Sequence, residues 1–124
     1  MKPIKRADLL ISLAIGILAL ALYVRTLAPS LLWGDSAEFQ TLCATLGMTH
    51  PSGYTTHLFI CKLFTLIPLR NIAWRANLMS AFFGALAVTE TYLIGRLLNG
   101  RRAALVSAAA LMTLTAGYWW RALV

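Results

Sequence analysis

Acidic side chains are scarce in this chain, because only 4 of its 124 residues are Asp or Glu, against 11 Lys and Arg. Charged residues make up 12% of the chain, whereas soluble domains usually carry about 25%. Hydrophobic residues make up 60%, and the mean hydropathy is +0.74. This composition excludes an ordinary soluble domain and indicates a membrane protein.

Motifs that bind nucleotides or nucleic acids are also absent from the sequence. The net charge of +7 would suit nucleic acid, but the basic residues stand at the ends of apolar runs instead of forming one patch. This placement is typical of the positive-inside rule, under which Lys and Arg gather in cytoplasmic loops. We therefore expect the membrane as a partner and no nucleic acid.

Cysteine is rare, with Cys43 and Cys61 as the only two in the sequence. Their separation matches no metal-binding motif. The sequence favours two small buried hydrophobic side chains. A disulfide is the alternative if both residues face an oxidising compartment.

Three long apolar runs predict transmembrane helices, at 9–24, 76–95 and 103–120. An A-x-A pattern inside the first run is also typical of a cleaved signal peptide, but the later apolar runs favour an uncleaved anchor. The basic segment 1–8 places the N-terminus in the cytoplasm.

With three spans, the basic loop 96–102 is also cytoplasmic, as the positive-inside rule requires. The segment 25–75 then forms one large extracytoplasmic loop, and 121–124 begins a further external segment that the chain cuts short. The membrane in question is the bacterial inner membrane or an equivalent one.

A shorter apolar run, 54–68, leaves the number of spans open. It is shorter than the roughly 20 residues that a spanning helix needs, and Lys62 near its middle would cost about 2.5–3.5 kcal/mol inside the membrane. A fourth span would also place 96–102 outside. We therefore predict an interfacial helix whose Lys62 amine reaches up to the headgroups.

The two carboxylates of the string "GDSAEF" have two compatible interpretations. Asp35 as N-cap and Glu38 three residues later are typical of a capping box that starts a helix over 36–46, which Gly47 would end. Residues three apart also share a helix face, so both carboxylates can face one site. There one of them can act as a general base.

The next motif is "HPSGY". Pro51 holds His50 in an extended conformation shortly after the acidic helix. An imidazole at that place can bind a phosphate, transfer a proton or ligate a metal, and a loop hydrogen bond is the alternative. We interpret His57 as structural.

The small residues of the second and third spans predict helix packing. Ala76, Ser80 and Gly84 follow one another at four-residue spacing, and Ala104 and Ala108 do the same. Such stripes let helix backbones approach closely. They indicate packing surfaces and not chemistry.

The string "TLAPSLLWGDSAEFQTLCATLGMTHPSGY", followed later by "RANLMSAFFGALAV", resembles a known family. The resemblance is to the N-terminal region of a family of polytopic membrane proteins that includes the animal transmembrane protein O-mannosyltransferase and belongs with the GT-C glycosyltransferases. The resemblance covers the chain from about Tyr23 onward, and the G-D-S-A-E-F, H-P-x-G-Y and R-x-N-x-x-S motifs occur in the family's order. It implies an all-α membrane protein whose N-terminal fragment has three transmembrane helices and a large external loop with juxtamembrane helices.

The resemblance also implies a function. A sugar would pass from a polyprenyl-phosphate donor to an acceptor hydroxyl on the external face, as in protein O-mannosylation. Asp35 would be the catalytic base and Glu38 a supporting carboxylate. The residues at the other matching positions are candidates for substrate binding: His50, Tyr54, Arg75 and Asn77.

Positive charge must also meet the leaving phosphate, from a divalent metal ion or from the basic residues Lys62, Arg70 or Arg75. The sequence decides neither this point nor whether Arg75 and Asn77 only anchor the loop. The chain departs from the family where Ser52 and Thr55 replace prolines. It also stops before the family's acidic E-V-Y-like motif, so we expect the fragment alone to be inactive.

Two other functions remain open at the level of sequence. One is a non-catalytic multi-span membrane protein that binds a partner or lipid through its external loop. The other is a transporter fragment in which Glu90, an acid inside the second span, lies on the transport path. A structural role for Glu90 is the interpretation that we favour.

Overall fold

The computed structural model describes residues 3–48 and 54–121, and side chains are described as far as residue 116. Within these residues the chain forms α-helices and no strand, which confirms the expected all-α class. The helices are α1 (Arg6–Arg25), α2 (Asp35–Thr45), α3 (Thr55–Thr65), α4 (Ile72–Leu98) and α5 (Arg101–Arg121).

Two helices within the described residues, α1 with 20 residues and α4 with 27, are long and apolar enough to cross a membrane. This finding indicates a membrane protein. Helix α5 covers the third predicted span, 103–120, but the structure does not confirm it as a span. Helix α4 starts four residues before the predicted span 76–95, so the R-x-N motif lies in its first two turns.

The chain divides into two compact units. One unit combines the residues up to Thr26 with those from Ala81 onward, and we call it the helical unit. The other comprises Leu27–Ser80, and we call it the loop unit. The loop unit contains α2, α3 and the start of α4.

Small side chains line the interior of the helical unit, as their spacing predicted. Ala85, Ala104 and Ala108 are all at most 5% exposed. A Cβ on Gly95 would lie 2.9 Å from the Cα of Ala104. Close backbone approach between α4 and α5 therefore depends on these small residues.

A cluster of charges around a buried aspartate joins the ends of three helices in the helical unit. Asp8 is fully buried, and its Oδ1 lies 3.1 Å from Arg96 Nε and 2.8 Å from Arg101 Nη2. The Asp8 Oδ2 accepts the backbone N–H of Lys5 at 3.1 Å. The N-terminal ends of α1 and α5 therefore meet the C-terminal end of α4. This is the arrangement expected if the basic N-terminus and the basic loop share one side of a membrane.

The core of the loop unit contains a disulfide. Cys43 of α2 is bonded to Cys61 of α3, with a Cα–Cα distance of 5.3 Å, and both residues are 1% exposed. Leu58, Ala76 and Met79 pack around the pair. The expected burial is confirmed, but the preference for two unpaired cysteines is wrong. Spacing along the chain excluded a metal motif and carried no information on which helix faces would meet.

The ends of α2 differ from the expected ones. The N-cap is Gly34 and not Asp35, because the backbone there has φ +64° and ψ −141°, a conformation that favours glycine. At the other end, Leu46 and not Gly47 adopts the left-handed conformation, with φ +55°. Its N–H bonds to the carbonyl of Leu42.

Helix α3 is shorter than the predicted 54–68, and its Lys62 contacts the end of α2. The Lys62 amine donates a hydrogen bond to the carbonyl of Ala44, a contact that the sequence did not predict, and its placement near the headgroups stays a prediction. The last carbonyls of a helix lack partners inside the helix, and Lys62 supplies one to α2. The outer face of α3 carries exposed apolar side chains at helical spacing: Phe59, Leu63 and Leu66.

Candidate active site

Asp35 is the first residue of α2, and its side chain is exposed. The chain enters the helix through Gly34, whose carbonyl accepts the N–H groups of Ala37 and Glu38 at 3.0 and 3.4 Å. A carboxylate in the first turn interacts favourably with the positive end of the helix dipole. The carboxylate of Asp35 is therefore available at the surface, at the start of a regular helix.

Glu38 lies one turn further along α2 and is half-buried. Because it follows Asp35 by three residues, both carboxylates lie on the same side of the helix. The two acids thus differ in environment, since Asp35 is open to solvent and Glu38 is partly enclosed by the protein.

A buried polar link connects α2 to the segment before Asp35 and to α4. Gln40 is 4% exposed, and its Oε1 accepts the backbone N–H of Leu32 at 2.9 Å. Its Nε2 donates to Asn77 Oδ1 at 2.7 Å, and Asn77 Nδ2 donates to the carbonyl of Ala28 at 3.4 Å. Asn77 is itself 6% exposed. The link fixes both ends of the segment that leads into Asp35.

Arg75 anchors the segment between α3 and α4. Its guanidinium donates to three backbone carbonyls, those of Thr65, Leu69 and Arg70. These carbonyls follow the last turn of α3, where the backbone has no helical partner. Of the two roles that the sequence left open for Arg75, the structure therefore favours anchoring. The role of Arg75 in substrate binding stays a prediction.

The predicted substrate-binding aromatic residue, Tyr54, is the N-cap of α3 and has φ +41°. Its ring packs edge-on against Phe39 of α2, with the centroids 5.1 Å apart. The His57 ring also packs edge-on against Phe39, with the centroids 5.2 Å apart. Tyr54 is therefore brought next to the acidic helix, while His50 lies outside the described residues.

A cavity of about 770 Å³ opens beside α2, at the start of α4. Residues 40, 41, 44 and 45 form its α2 wall, and residues 70–73 and 75 form the wall opposite. The segment before α2 contributes Ser30 and Leu31. Asp35 and Glu38 do not line this cavity. Both acids precede Gln40, the first residue of α2 that lines it.

Metal binding finds little support among the described side chains. Within residues 3–48 and 54–116, no group of three or more His, Cys, Asp or Glu comes together as a set of ligands. A divalent ion at the site stays a prediction, based on the negative charge that develops on the phosphate as it leaves the sugar.

Sequence reasoning missed two residues that the structure shows to be central. Gln40 gives a signal, since it is a polar residue on the face of α2 that also carries Cys43, and a buried amide requires partners. Asp8 gives a weaker signal as one of only four acids in the chain. Its role depends on two arginines nearly 90 residues away, which no local pattern indicates.

The sequence of this chain is similar to a known family model and to named proteins. The family model described as protein O-mannosyl-transferase TMEM260 N-terminal domain matches residues 35–123. Protein O-mannosyl-transferase TMEM260 of Mus musculus is 33% identical over 109 residues, which is 87% of this chain and 16% of the relative. Protein O-mannosyl-transferase tmem260 of Dictyostelium discoideum is 29% identical over 95 residues, 74% of this chain and 12% of the relative. No solved structure shows significant similarity.

The chain thus spans only a small part of each relative, at 16% and 12% of their lengths. The matched family region begins at Asp35. It includes α2 with both acids, the disulfide and the R-x-N motif. All six residues predicted to act in catalysis or substrate binding therefore lie inside the matched region, whereas Ala28 and Leu32, which hold the segment before Asp35, precede it.

Proposed function

This chain belongs to the protein O-mannosyl-transferase TMEM260 N-terminal domain family, and we propose that it forms the first part of an integral-membrane glycosyltransferase. The protein moves a sugar from a polyprenyl-phosphate donor to an acceptor hydroxyl, as in protein O-mannosylation. The names of the mouse and Dictyostelium relatives support the sugar and the protein acceptor. The resemblance of the motifs to GT-C enzymes supports the lipid-linked donor.

In this proposal Asp35 is the general base. The acceptor oxygen attacks the anomeric carbon, the bond from that carbon to the phosphate oxygen breaks, and the electron pair leaves with the phosphate. Asp35 takes the proton of the acceptor hydroxyl as the new bond forms. Attack from the face opposite to the phosphate inverts the anomeric centre. Glu38 supports the site as a second carboxylate on the same side of α2.

One observation carries the proposal: an exposed carboxylate on a helix that is held from several directions. The Cys43–Cys61 disulfide and the Lys62 amine tie α2 to α3. The amide of Gln40 ties α2 to α4 and to the segment before Asp35. A catalytic group must be held close to its productive geometry, and a braced helix does this better than a free loop.

The substrate-binding roles differ among the candidates. We propose His50 and Tyr54 as neighbours of the reacting sugar, and the contact of Tyr54 with Phe39 of α2 supports its placement. Arg75 and Asn77 are engaged with backbone carbonyls and with Gln40. We assign to these two the task of holding the loop in shape.

The site faces the extracytoplasmic side in this proposal, with the N-terminus in the cytoplasm. The disulfide of the loop unit supports this orientation, because disulfides form and persist in oxidising compartments. The basic residues near α1 and in the loop 96–102 support it as well, since they suit the cytoplasmic side.

The test is Asp35→Asn in the longer protein that contains this chain. Loss of a general base lowers rates by about 10²–10⁴-fold, so we expect sugar transfer to a peptide acceptor to fall by that factor. The assay uses purified protein with a polyprenyl-phosphate sugar. Membrane insertion and the Cys43–Cys61 disulfide, measured by mass spectrometry, should be unchanged.

Glu90→Gln is the matched control, because it removes one carboxylate charge from an exposed position of α4 that belongs to the helical unit. We expect it to keep full transfer. Transfer at the wild-type rate in Asp35→Asn would refute the catalytic role. If Glu38→Gln were silent as well, the alternative of a non-catalytic loop that binds a partner or lipid would be preferred.

A further inference from the structure

The cavity beside α2 offers very few free hydrogen-bond donors. Most of its polar side chains already donate inside the chain, to backbone carbonyls or to Asn77: Gln40, Thr41, Thr45, Asn71 and Arg75. Within the described residues, only the hydroxyl of Ser30 and the guanidinium of Arg70 line the cavity without a hydrogen bond. A ligand of this cavity therefore meets one cationic group and otherwise mainly hydrocarbon.

Arg70 is held in a defined position at the rim of the cavity. Its guanidinium lies over the ring of Trp74, 5.3 Å from the ring centroid, an arrangement that favours a cation. Its backbone has φ +44°, which is unfavourable for a residue with a side chain, and its carbonyl accepts a hydrogen bond from Arg75. No salt bridge in the described part of the chain involves Arg70.

The three cations near α2 can thus be distinguished. Lys62 is engaged with the carbonyl of Ala44, and Arg75 with three carbonyls. Within the described residues, the guanidinium of Arg70 has neither a hydrogen bond nor an ion pair, so its N–H groups can meet a ligand. A guanidinium presents paired N–H groups that match two oxygens of a phosphate.

We propose that this cavity binds a membrane amphiphile whose head is a phosphate, with the phosphate on Arg70 and the first part of the hydrocarbon against the apolar wall. Leu31 and Ile72, at 61% and 48% exposure, form the rim of that wall, together with Ala44 and Ala73 inside. A soluble phosphate has no hydrocarbon to cover the apolar wall. An uncharged lipid has no negative charge to pair with the Arg70 guanidinium.

Two kinds of molecule share this chemistry, a glycerophospholipid of the membrane and a lipid-linked phosphate such as a sugar donor. Only the donor as occupant rests on the proposed function, and binding of either molecule is measured without sugar transfer.

The test measures binding to this chain in detergent micelles by native mass spectrometry. The probes are farnesyl phosphate, the matched alcohol farnesol, dioleoyl phosphatidic acid and inorganic phosphate. We expect at least one lipid phosphate to bind about tenfold more tightly than farnesol, as charge-assisted hydrogen bonds imply. Arg70→Gln should abolish this difference, and Arg70→Lys should keep part of it.

Arg25→Gln is the matched control, because it removes the same charge from an exposed arginine that does not line the cavity. It should leave binding unchanged, and unchanged hydrogen exchange in α2 and α3 shows in each variant that the loop unit has folded. Preference for phosphatidic acid or for farnesyl phosphate identifies which source occupies the site, and both support it. Retained preference in Arg70→Gln, equal binding of farnesol, or equally tight inorganic phosphate would overturn the proposal.

Discussion

The helical unit and the loop unit solve the same problem in different ways, namely how to satisfy backbone polar groups. In the helical unit nearly every described residue lies in a long helix, so the backbone is satisfied within each helix. In the loop unit the helices are short and irregular segments separate them. There the side chains of Gln40, Lys62, Asn71 and Arg75 supply the missing partners.

This difference determines where the chemistry can lie. Small residues let the helices of the helical unit pack closely, and its described interior contains one charge cluster, around Asp8. The loop unit has more polar side chains whose positions are fixed by hydrogen bonds and by a disulfide. A site that needs precisely held polar groups is therefore expected in the loop unit.

The largest effect should come from removing the disulfide of the loop unit. Replacing Cys43 and Cys61 by serine releases a loop closed over 18 residues, which should lower the free energy of unfolding by about 3 kcal/mol. Chemical unfolding in micelles, followed with and without reductant, measures the loss. The double variant itself should be insensitive to reductant.

Hydrogen exchange of the backbone amides sharpens this comparison. Reduction should raise exchange in α2 and α3 and leave α1 unchanged, because α1 belongs to the helical unit. Equal acceleration in both units would contradict the view that each is stabilised by its own contacts.

A smaller effect is expected from breaking the buried amide link. Asn77→Ala leaves Gln40 Nε2 without an acceptor in a site only 4% exposed, which costs about 2 kcal/mol. Asn99→Ala, at an exposed position at the end of α4, is the matched control and should be neutral. Gln40→Ala removes the other partner of the same bond, so its loss and that of Asn77→Ala should be non-additive in a double-mutant cycle. Additive losses in the two variants would argue against the link.

The smallest effect should come from the helical unit. The hydroxyl of Tyr23 is hydrogen-bonded to that of Thr115, between α1 and α5. Such bonds between membrane helices contribute about 0.6 kcal/mol on average, so Tyr23→Phe should lower the unfolding free energy by no more than roughly 1 kcal/mol. In a double-mutant cycle with Thr115→Val, the two losses should be non-additive. A coupling energy between Tyr23 and Thr115 of about 3 kcal/mol, the value expected for the disulfide, would contradict the smaller role given to side-chain contacts in the helical unit.

The sequence predicted the helices of this protein better than their ends and contacts. Apolar runs are local properties, so the positions of α1, α3 and α4 were evident within a few residues. The N-cap at Gly34 was missed because a typical capping box at Asp35 fits the same string, and only the backbone conformation distinguishes the two. The roles of Lys62 and Gln40 were missed because their partners lie on other elements.

In the candidate site, too, the sequence predicted local features and missed contacts between distant residues. Asp35 and Glu38 stood out because acids are scarce and residues three apart share a helix face. The cavity and the selection of Arg70 among three cations were not predictable, since they depend on which donors other residues have already used.

By itself, the sequence determined the all-helical membrane class, the acidic helix and the family, because composition, periodicity and motif order are properties of the chain alone. Only the tertiary structure decided that Cys43 and Cys61 pair, that Asp8 joins Arg96 and Arg101, and that Arg70 lies over Trp74 without an ion pair among the described residues. The physical reason is that a disulfide, an ion pair or an unused donor depends on distances between residues far apart in sequence. Those distances are set by packing of the whole chain and not by any local pattern.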